Sequence, residues 1–336
     1  MEYRSLGRTG MKVSQLCMGC MYFGAKTPEE ESFRLFDSCI DAGINFFDTA
    51  NVYSRGTSET VLGRILAKRG NRGKLVIATK VHGRMDDDDP NAAGNSRRHI
   101  IEQCDASLKR LGTDYIDLYQ IHRPDSQIPI DETLRALDDL IRDGKVRSIG
   151  TSTYAAWQCV EALWASKELG LNRFVSEQPP YSIADRRIER ELLPMARTFG
   201  YGIIPWSPLA GGLLTGKYGR GRETPEGARY ANGAPDHLSR RVTERLFDAL
   251  EALEGLVEEK GVSMSQFALA WVMHQPGVTS PIIGSRTMEQ LTDNLGALEV
   301  TITDEDREAV DQIVPPGSSV SPFYQADWGP HPHRVL

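Results

Sequence analysis

Eight short, mostly apolar runs alternate along the chain with stretches whose apolar residues recur at helical spacing, and no other feature limits the possible folds as sharply. The runs cover residues 16–19, 45–48, 75–80, 116–122, 146–151, 174–178, 201–207 and 280–284. Strands apolar along their whole length belong to a parallel sheet covered by helices on its faces. A count of eight predicts closure into a (β/α)8 TIM barrel, in which chemistry gathers at the C-terminal ends of the strands. An open doubly wound sheet is the rival. Its Gly-x-Gly-x-x-Gly fingerprint is missing from the first strand-to-helix turn, which reads Gly19-Cys20-Met21-Tyr22-Phe23-Gly24.

The intervening helices are expected at 28–42, 58–68, 96–111, 131–142, 155–169, 185–199 and 240–274, the last broken at Gly261. Thr27 and Ser96 are candidate N-caps, and Pro28 suits a first turn. Residues 1–15, with Gly7 and Gly10 among alternating apolar positions, predict a hairpin closing the bottom of the barrel. Two intervals break the repeat. Residues 207–239 form a Gly- and Pro-rich connection too long for an ordinary loop, expected to fold over a ligand. Residues 315–336, with Phe323, Tyr324 and Trp328, form a C-terminal tail expected to cover the barrel mouth or a partner. A chain of 336 residues fits one barrel domain spanning 1–336.

A formal charge of -7 argues against a broad nucleic-acid face, while leaving room for a local basic pocket holding one phosphate. No apolar run approaches the roughly 18 residues of a membrane span, and Met1-Glu2-Tyr3-Arg4 lacks the order of a secretion signal. These features predict a cytoplasmic protein that binds neither nucleic acid nor membrane. Five scattered cysteines fit reduced thiols. Cys17 and Cys20 have C-x-x-C spacing without a second pair or a nearby histidine. His82, His99, His237, His274, His331 and His333 show no ligand spacing, and Asp86 to Asp89 read as a solvated loop, so no metal is expected.

The second, third and fourth strands run out into polar residues. Asn45-Phe46-Phe47-Asp48 ends on an acid with Tyr53 five residues on, 75–80 ends on Lys80, and 116–122 ends on His122. Taken singly, Asp48 is equally a helix-entry cap, Lys80 a snorkelling lysine and His122 a satisfied loop histidine. On neighbouring parallel strands they converge on one rim with the Tyr53 phenol. A phenol is a poor proton donor-acceptor at neutral pH unless tuned, and an ammonium beside it would tune it. Asp48 would keep Lys80 charged, and His122 would aim the substrate oxygen.

In this order and context Asp48, Tyr53, Lys80 and His122 resemble the catalytic tetrad of the aldo-keto reductase superfamily. The resemblance runs from Leu6-Gly7 to Asn294 and takes in Gln178, Ser207-Pro208-Leu209 and Gly284-Ser285-Arg286. It implies reduction of a small-molecule aldehyde or ketone with NADPH, oxidised to NADP+, lying across the barrel mouth near Gly19. The nicotinamide carboxamide would be held by Ser152, Thr153 and Gln178, with Thr153 replacing the family's usual Asn by a hydroxyl. Trp206 would stack on the nicotinamide ring. Ser207, Leu209 and Gly211 would clasp the pyrophosphate, with Lys217 adding charge. Gly284, Ser285 and Arg286 would open the helix after strand eight and take the 2′-phosphate, with Gln290 and Asn294 contacting adenine. Gly211 to Lys217 nearly spells a nucleoside-triphosphate loop, but Tyr218 stands where its Mg²⁺-binding hydroxyl residue belongs. Two other functions fit the same residues: an NADPH-binding regulatory subunit like the potassium-channel β subunits, and a nucleotide-linked keto-sugar reductase.

Overall fold

Every one of the eight apolar runs contributes a strand to a single sheet. The computed structural model describes residues 1–225, 228–230 and 239–321; Phe323, Tyr324 and Trp328 of the expected tail, and His237, His331 and His333, lie outside the described residues. An antiparallel hairpin of β1 (Tyr3–Ser5) and β2 (Lys12–Ser14) comes first. The sheet consists of β3 (Cys17–Gly19), β4 (Phe46–Asp48), β5 (Val76–Val81), β6 (Ile116–Ile121), β7 (Val146–Ser152), β8 (Phe174–Gln178), β9 (Gly202–Ile203) and β10 (Ile282–Ile283). Neighbours pair in parallel in the order β10-β3-β4-β5-β6-β7-β8-β9. The amides of Thr279 and Ile282 donate to the carbonyls of Ile203 and Pro205, each at 2.8 Å, which joins the last strand to β9 and closes the (β/α)8 barrel.

Alternation along each strand separates two cores. Cys17, Phe46, Val76, Ala78, Leu118, Ile204 and Ile282 fill the lower interior of the cylinder, sealed from below by Leu6 and Val13 of the hairpin region. The opposite strand faces pack against the helices: α1 (Glu29–Asp41), α2 (Thr57–Arg69), α3 (Arg97–Leu111), α4 (Ile130–Arg142), α5 (Ala156–Leu169), α6 (Leu192–Phe199), α7 (Glu244–Lys260), α8 (Met264–Met273), α9 (Met288–Gly296) and α10 (Asp304–Ile313). Side-chain caps fix several starts. Ser96 accepts the His99 amide at 3.3 Å, and Ser263 and Gln266 cap α8 reciprocally. No helix among the described residues is long and apolar enough to cross a membrane.

The differences from the sequence expectations have local causes. Strands seven and eight shrink to two residues each because Pro205 and Pro281 have no amide to give a ladder. Helix 185–199 forms only from Leu192, since Arg186 before it binds Glu189, Asp311 and the Val314 carbonyl. Residues 319–321 return along this segment, with Ser319 bridged to Asp185 and the Val320 amide on the Ala184 carbonyl at 3.0 Å. Thr27 does not cap α1; its hydroxyl donates to the Arg286 carbonyl at 3.3 Å. Arg286 does not open a helix either. Thr287 caps α9 by accepting the Gln290 amide, leaving Ser285 and Arg286 in the loop before it.

Helices α2 and α3 cross at Gly63, where a Cβ would lie 2.3 Å from the Arg110 carbonyl oxygen and 2.8 Å from the Leu111 carbonyl carbon. Both neighbours are backbone and cannot turn aside. Gly63→Ala should therefore force the helices apart and destabilise the protein by about 1–3 kcal/mol. Thermal or denaturant unfolding measures this directly, and a variant as stable as the parent would mean that the crossing yields.

Candidate active site

Parallel pairing puts Asp48, Lys80 and His122 on the same rim of the cylinder. Asp48 is the last residue of β4, Lys80 the fifth of β5, and His122 follows β6, its amide donating to the Val81 carbonyl at 2.8 Å. After β4 the chain turns at once, and Tyr53 returns over the strand ends in a short 3-10 turn, Tyr53–Gly56, ahead of α2. Ser54 and Arg55 in that turn hold left-handed backbone, with φ of 49° and 50°. Such a conformation costs about 1 kcal/mol or more for a non-glycine residue and persists only where the surroundings enforce it.

Lys80 is fully buried, and its ammonium has three partners: the Asp48 carboxylate, the Thr49 carbonyl at 2.7 Å and the Tyr53 phenol oxygen at 3.2 Å. Burial works against the charge, but Asp48 and Tyr53 together outweigh it and hold the Lys80 pKa above its ordinary value. The second oxygen of Asp48 accepts from Gln120 Nε2 at 3.0 Å and from Gln178 Nε2 at 2.9 Å, and Gln178 Nε2 also reaches Gln120 Oε1 at 3.1 Å. His122 meets the edge of Tyr53, ring centroids 5.6 Å apart at 82°. Burial, then the Arg123, Lys80 and His82 charges, push its pKa well below 6.5, so the imidazole is neutral at physiological pH. One charged amine, one neutral imidazole and one phenol thus face a common point.

The other predicted residues fall into two groups around this centre. Ser152 and Gln178 pair in register on β7 and β8, and the Ser152 hydroxyl donates to the Gln178 carbonyl at 2.9 Å. Thr153 follows with φ of 60°; its hydroxyl donates to the Ser152 carbonyl at 2.6 Å and accepts from Arg123 at 3.2 Å. Gly19 is buried beside β10, where a Cβ would meet Ile282 at 2.7 Å. Trp206 and Ser207 lie beyond β9, Trp206 packed on the inner core and Ser207 at φ 54°. Leu209 precedes a 3-10 turn, Ala210–Gly212, in which Gly211 has φ of 67°. The long connection then folds back on this turn, the Tyr230 hydroxyl donating to the Ala210 carbonyl at 3.3 Å.

The second group surrounds the loop after β10. Gly284 is exposed, the Arg286 amide donates to Gln290 Oε1 at 2.9 Å, and Asn294 Nδ2 donates to Ser285 Oγ at 2.9 Å. Lys217 is half-buried, and its pKa is pushed down by burial and by the Arg286 and Arg229 charges. Arg229 itself donates to the Tyr22 hydroxyl, and Tyr22 carries the Arg286 guanidinium 5.9 Å from its ring centre. No carboxylate among the described residues pairs with Lys217, Arg229 or Arg286. Three cations repelling one another beside the mouth make a place for phosphate groups. Among the described residues no group of His, Cys, Asp or Glu is arranged to hold a metal ion.

Sequence reasoning passed over three residues of this region. Gln120 stands two before His122, so strand alternation points it into the barrel with His122. Arg229 had only its charge in the long connection to mark it. Glu177, an acid inside an apolar strand, is fully buried and accepts the Tyr154 amide at 3.0 Å, so it supports the turn that carries Thr153.

Burial pushes the Glu177 pKa up to about 8, against the Thr151 hydroxyl and the Tyr154 and Thr153 amides, which pull it down. Between the ordinary carboxylate range and that value, the unfolded chain releases a proton that the folded chain keeps. Folding stability from this group therefore falls as pH rises through the window, and levels off above it. Glu177→Gln copies the neutral acid and removes the dependence. Its stability relative to the parent should rise from about pH 5 to about pH 8 by about 3 kcal/mol, read from denaturant midpoints. A difference that does not change with pH would mean that Glu177 is ionised in the fold.

Comparison with known proteins agrees with this geometry. The model described as Aldo/keto reductase family matches residues 15–315. A Bacillus subtilis (strain 168) protein named "Uncharacterized oxidoreductase YrpG" is 41% identical over 333 residues, which cover 96% of this chain and 99% of that protein. A "Probable voltage-gated potassium channel subunit beta" of Oryza sativa subsp. japonica is 38% identical, covering 94% of this chain and 97% of the relative. A "Putative voltage-gated potassium channel subunit beta" of Schizosaccharomyces pombe is also 38% identical, with 93% of each chain covered.

Proposed function

The chain belongs to the aldo/keto reductase family, and from that premise we propose that it is an NADPH-dependent oxidoreductase reducing a small-molecule aldehyde or ketone to the alcohol. The observation that carries this reading is the buried Lys80 ammonium hydrogen-bonded at 3.2 Å to the Tyr53 phenol. When held across the mouth, NADPH would supply the hydride for the carbonyl carbon. Tyr53 gives the proton to the carbonyl oxygen, and Lys80 stabilises the charge then left on the phenol oxygen. Asp48 keeps Lys80 charged and in place. His122, neutral, donates its N–H to the same substrate oxygen and aims it. Run in reverse, the same groups oxidise an alcohol.

The cofactor's binding residues follow from the two groups around the centre. Gln178 spends its nitrogen on Asp48 and Gln120, leaving Oε1 for the nicotinamide carboxamide alongside Ser152 and Thr153. Trp206 offers a ring face to the nicotinamide near Gly19. Ser207, Leu209, Gly211 and Lys217 take the pyrophosphate. Gly284, Ser285 and Arg286 take the 2′-phosphate, and Gln290 and Asn294 the adenine. Lys217, Arg229 and Arg286, none paired with a carboxylate among the described residues, fit a ligand with three phosphates better than one with two.

Tyr53→Phe tests the proton donor. Carbonyl-dependent NADPH oxidation should fall by about a thousandfold or more, while the NADPH dissociation constant stays within a few-fold. Retention of a tenth of the parent rate would assign the proton to another group. Arg286→Ala tests the phosphate: the KM for NADPH should rise about tenfold or more and that for NADH should hardly move. Equal changes for both cofactors would remove the 2′-phosphate from Arg286. The relatives named potassium channel subunits favour a second reading, a regulatory subunit that binds NADPH and turns over very slowly. It would hold if the parent protein binds NADPH tightly but consumes none with aldehydes, ketones, quinones or keto sugars.

A further inference from the structure

At the opposite end of the cylinder from Tyr53, the hairpin turn rests on the starts of β8 and β9. Gly7 has φ of 53°, and a Cβ on it would lie 2.4 Å from the Val175 carbonyl oxygen; a Cβ on Gly200 would lie 2.4 Å from Cγ and Cδ of Arg8. Glycine on both sides therefore lets the turn press against the strand ends and lays the Arg8 stem across Gly200. The turn is braced internally. Thr9 Oγ1 donates to the Leu6 carbonyl at 2.8 Å and accepts the Met11 amide at 3.0 Å, while Leu6 is buried in the barrel floor.

Arg8, Thr9, Arg173, Val175 and Gly200 line a cavity of about 330 Å³ there. Arg173 is held in place from behind. Its Nη2 donates to the Phe199 carbonyl at 2.6 Å, its Nε to the Phe174 carbonyl at 3.3 Å, and its guanidinium lies 5.0 Å from the Tyr201 ring centre. These bonds use two of its five N–H groups. Neither arginine has a carboxylate partner among the described residues, although acids outnumber bases in the chain, 46 to 39. Burial, and the Arg8 charge, pull the Arg173 pKa below its ordinary value. Glycine packing thus brings an exposed guanidinium and a partly buried one to the same cavity, where their free N–H groups can donate to one anion.

We propose that this cavity is a second anion site, which binds a phosphate group, free or carried on a small ester, on the floor of the barrel. Guanidinium groups match phosphate oxygens in pairs of parallel hydrogen bonds, and the cavity is large enough for a phosphate with a few carbon atoms attached. The site is independent of the reductase reading: none of its residues belongs to the mouth.

Calorimetric titration of the full chain at low ionic strength, with chloride as the control anion, tests the proposal. Inorganic phosphate and glycerol 3-phosphate are titrated into the parent, into the double variant Lys217→Gln/Arg286→Gln, in which the mouth is silenced, and into that double variant carrying in addition Arg8→Gln or Arg173→Gln. The parent and the mouth variant should both bind at this site, and either floor substitution should raise the dissociation constant at least about tenfold. Tighter binding of the ester identifies the ligand as a phosphorylated small molecule, and tighter binding of the free ion identifies it as phosphate itself. Among the described residues Arg8 has no hydrogen-bond partner, so Arg8→Gln decides the matter even if Arg173→Gln is destabilised by losing its bond to Phe199. No phosphate binding to the mouth variant below about 10 mM, or Arg8→Gln binding as the mouth variant does, would overturn the proposal.

Discussion

A positive charge with no solvent contact sits at the centre of this molecule, and the arrangement around it follows from the need to keep it charged. Removing an ammonium from water costs several kcal/mol, and the Asp48 carboxylate repays that only if its own remaining lone pairs are satisfied. Gln120 and Gln178 do this, donating to the oxygen that Lys80 leaves open. The pair is therefore part of a network drawn from four consecutive or near-consecutive strands. Loss of any member would leave a buried polar group unpaired, which is the costly case.

Such a network needs a closed sheet. In the register observed, Asp48 stands beside Gly19 and Ala78, and Lys80 beside Gln120. Only a cylinder turns Gln178, 130 residues away in sequence, back toward Asp48. Below this polar layer the interior is apolar and sealed by Leu6, so the charged groups lie near the end that opens to solvent while the other end supplies the packing. Stability and chemistry occupy different ends of the same barrel.

This division explains what the sequence made legible. Strand positions and the polar residues that end them are local properties, carried by continuous apolar runs, by the alternation of side chains along a strand and by turn residues, so the sheet and the meeting of Asp48, Tyr53, Lys80 and His122 could be read directly. Gln120 obeys the same alternation, but its partner lies 72 residues away, and nothing local distinguishes a glutamine bound to a carboxylate from one in a water-filled lumen. The short reach of β9 and β10 was written in Pro205 and Pro281, yet apolar runs on both sides concealed it. Arg286 misled differently. Its neighbour Thr287 is the better cap, and moving the helix start past the arginine leaves its guanidinium in a loop, anchored through backbone bonds to Thr27 and Gln290.

The electrostatics of the mouth also fix which group can carry charge. Lys80 and His122 both face Tyr53, and a low-dielectric interior does not hold two cations so close together without a second acid. Burial, then the Arg123, Lys80 and His82 charges, keep the imidazole neutral, while Asp48 is committed to the lysine. A neutral ring retains one N–H to donate and leaves the single positive charge beside the phenol, where a proton can be exchanged. The Asp48 carboxylate, bound to Lys80, Gln120 and Gln178, thus keeps one amine charged while burial keeps the imidazole beside it neutral.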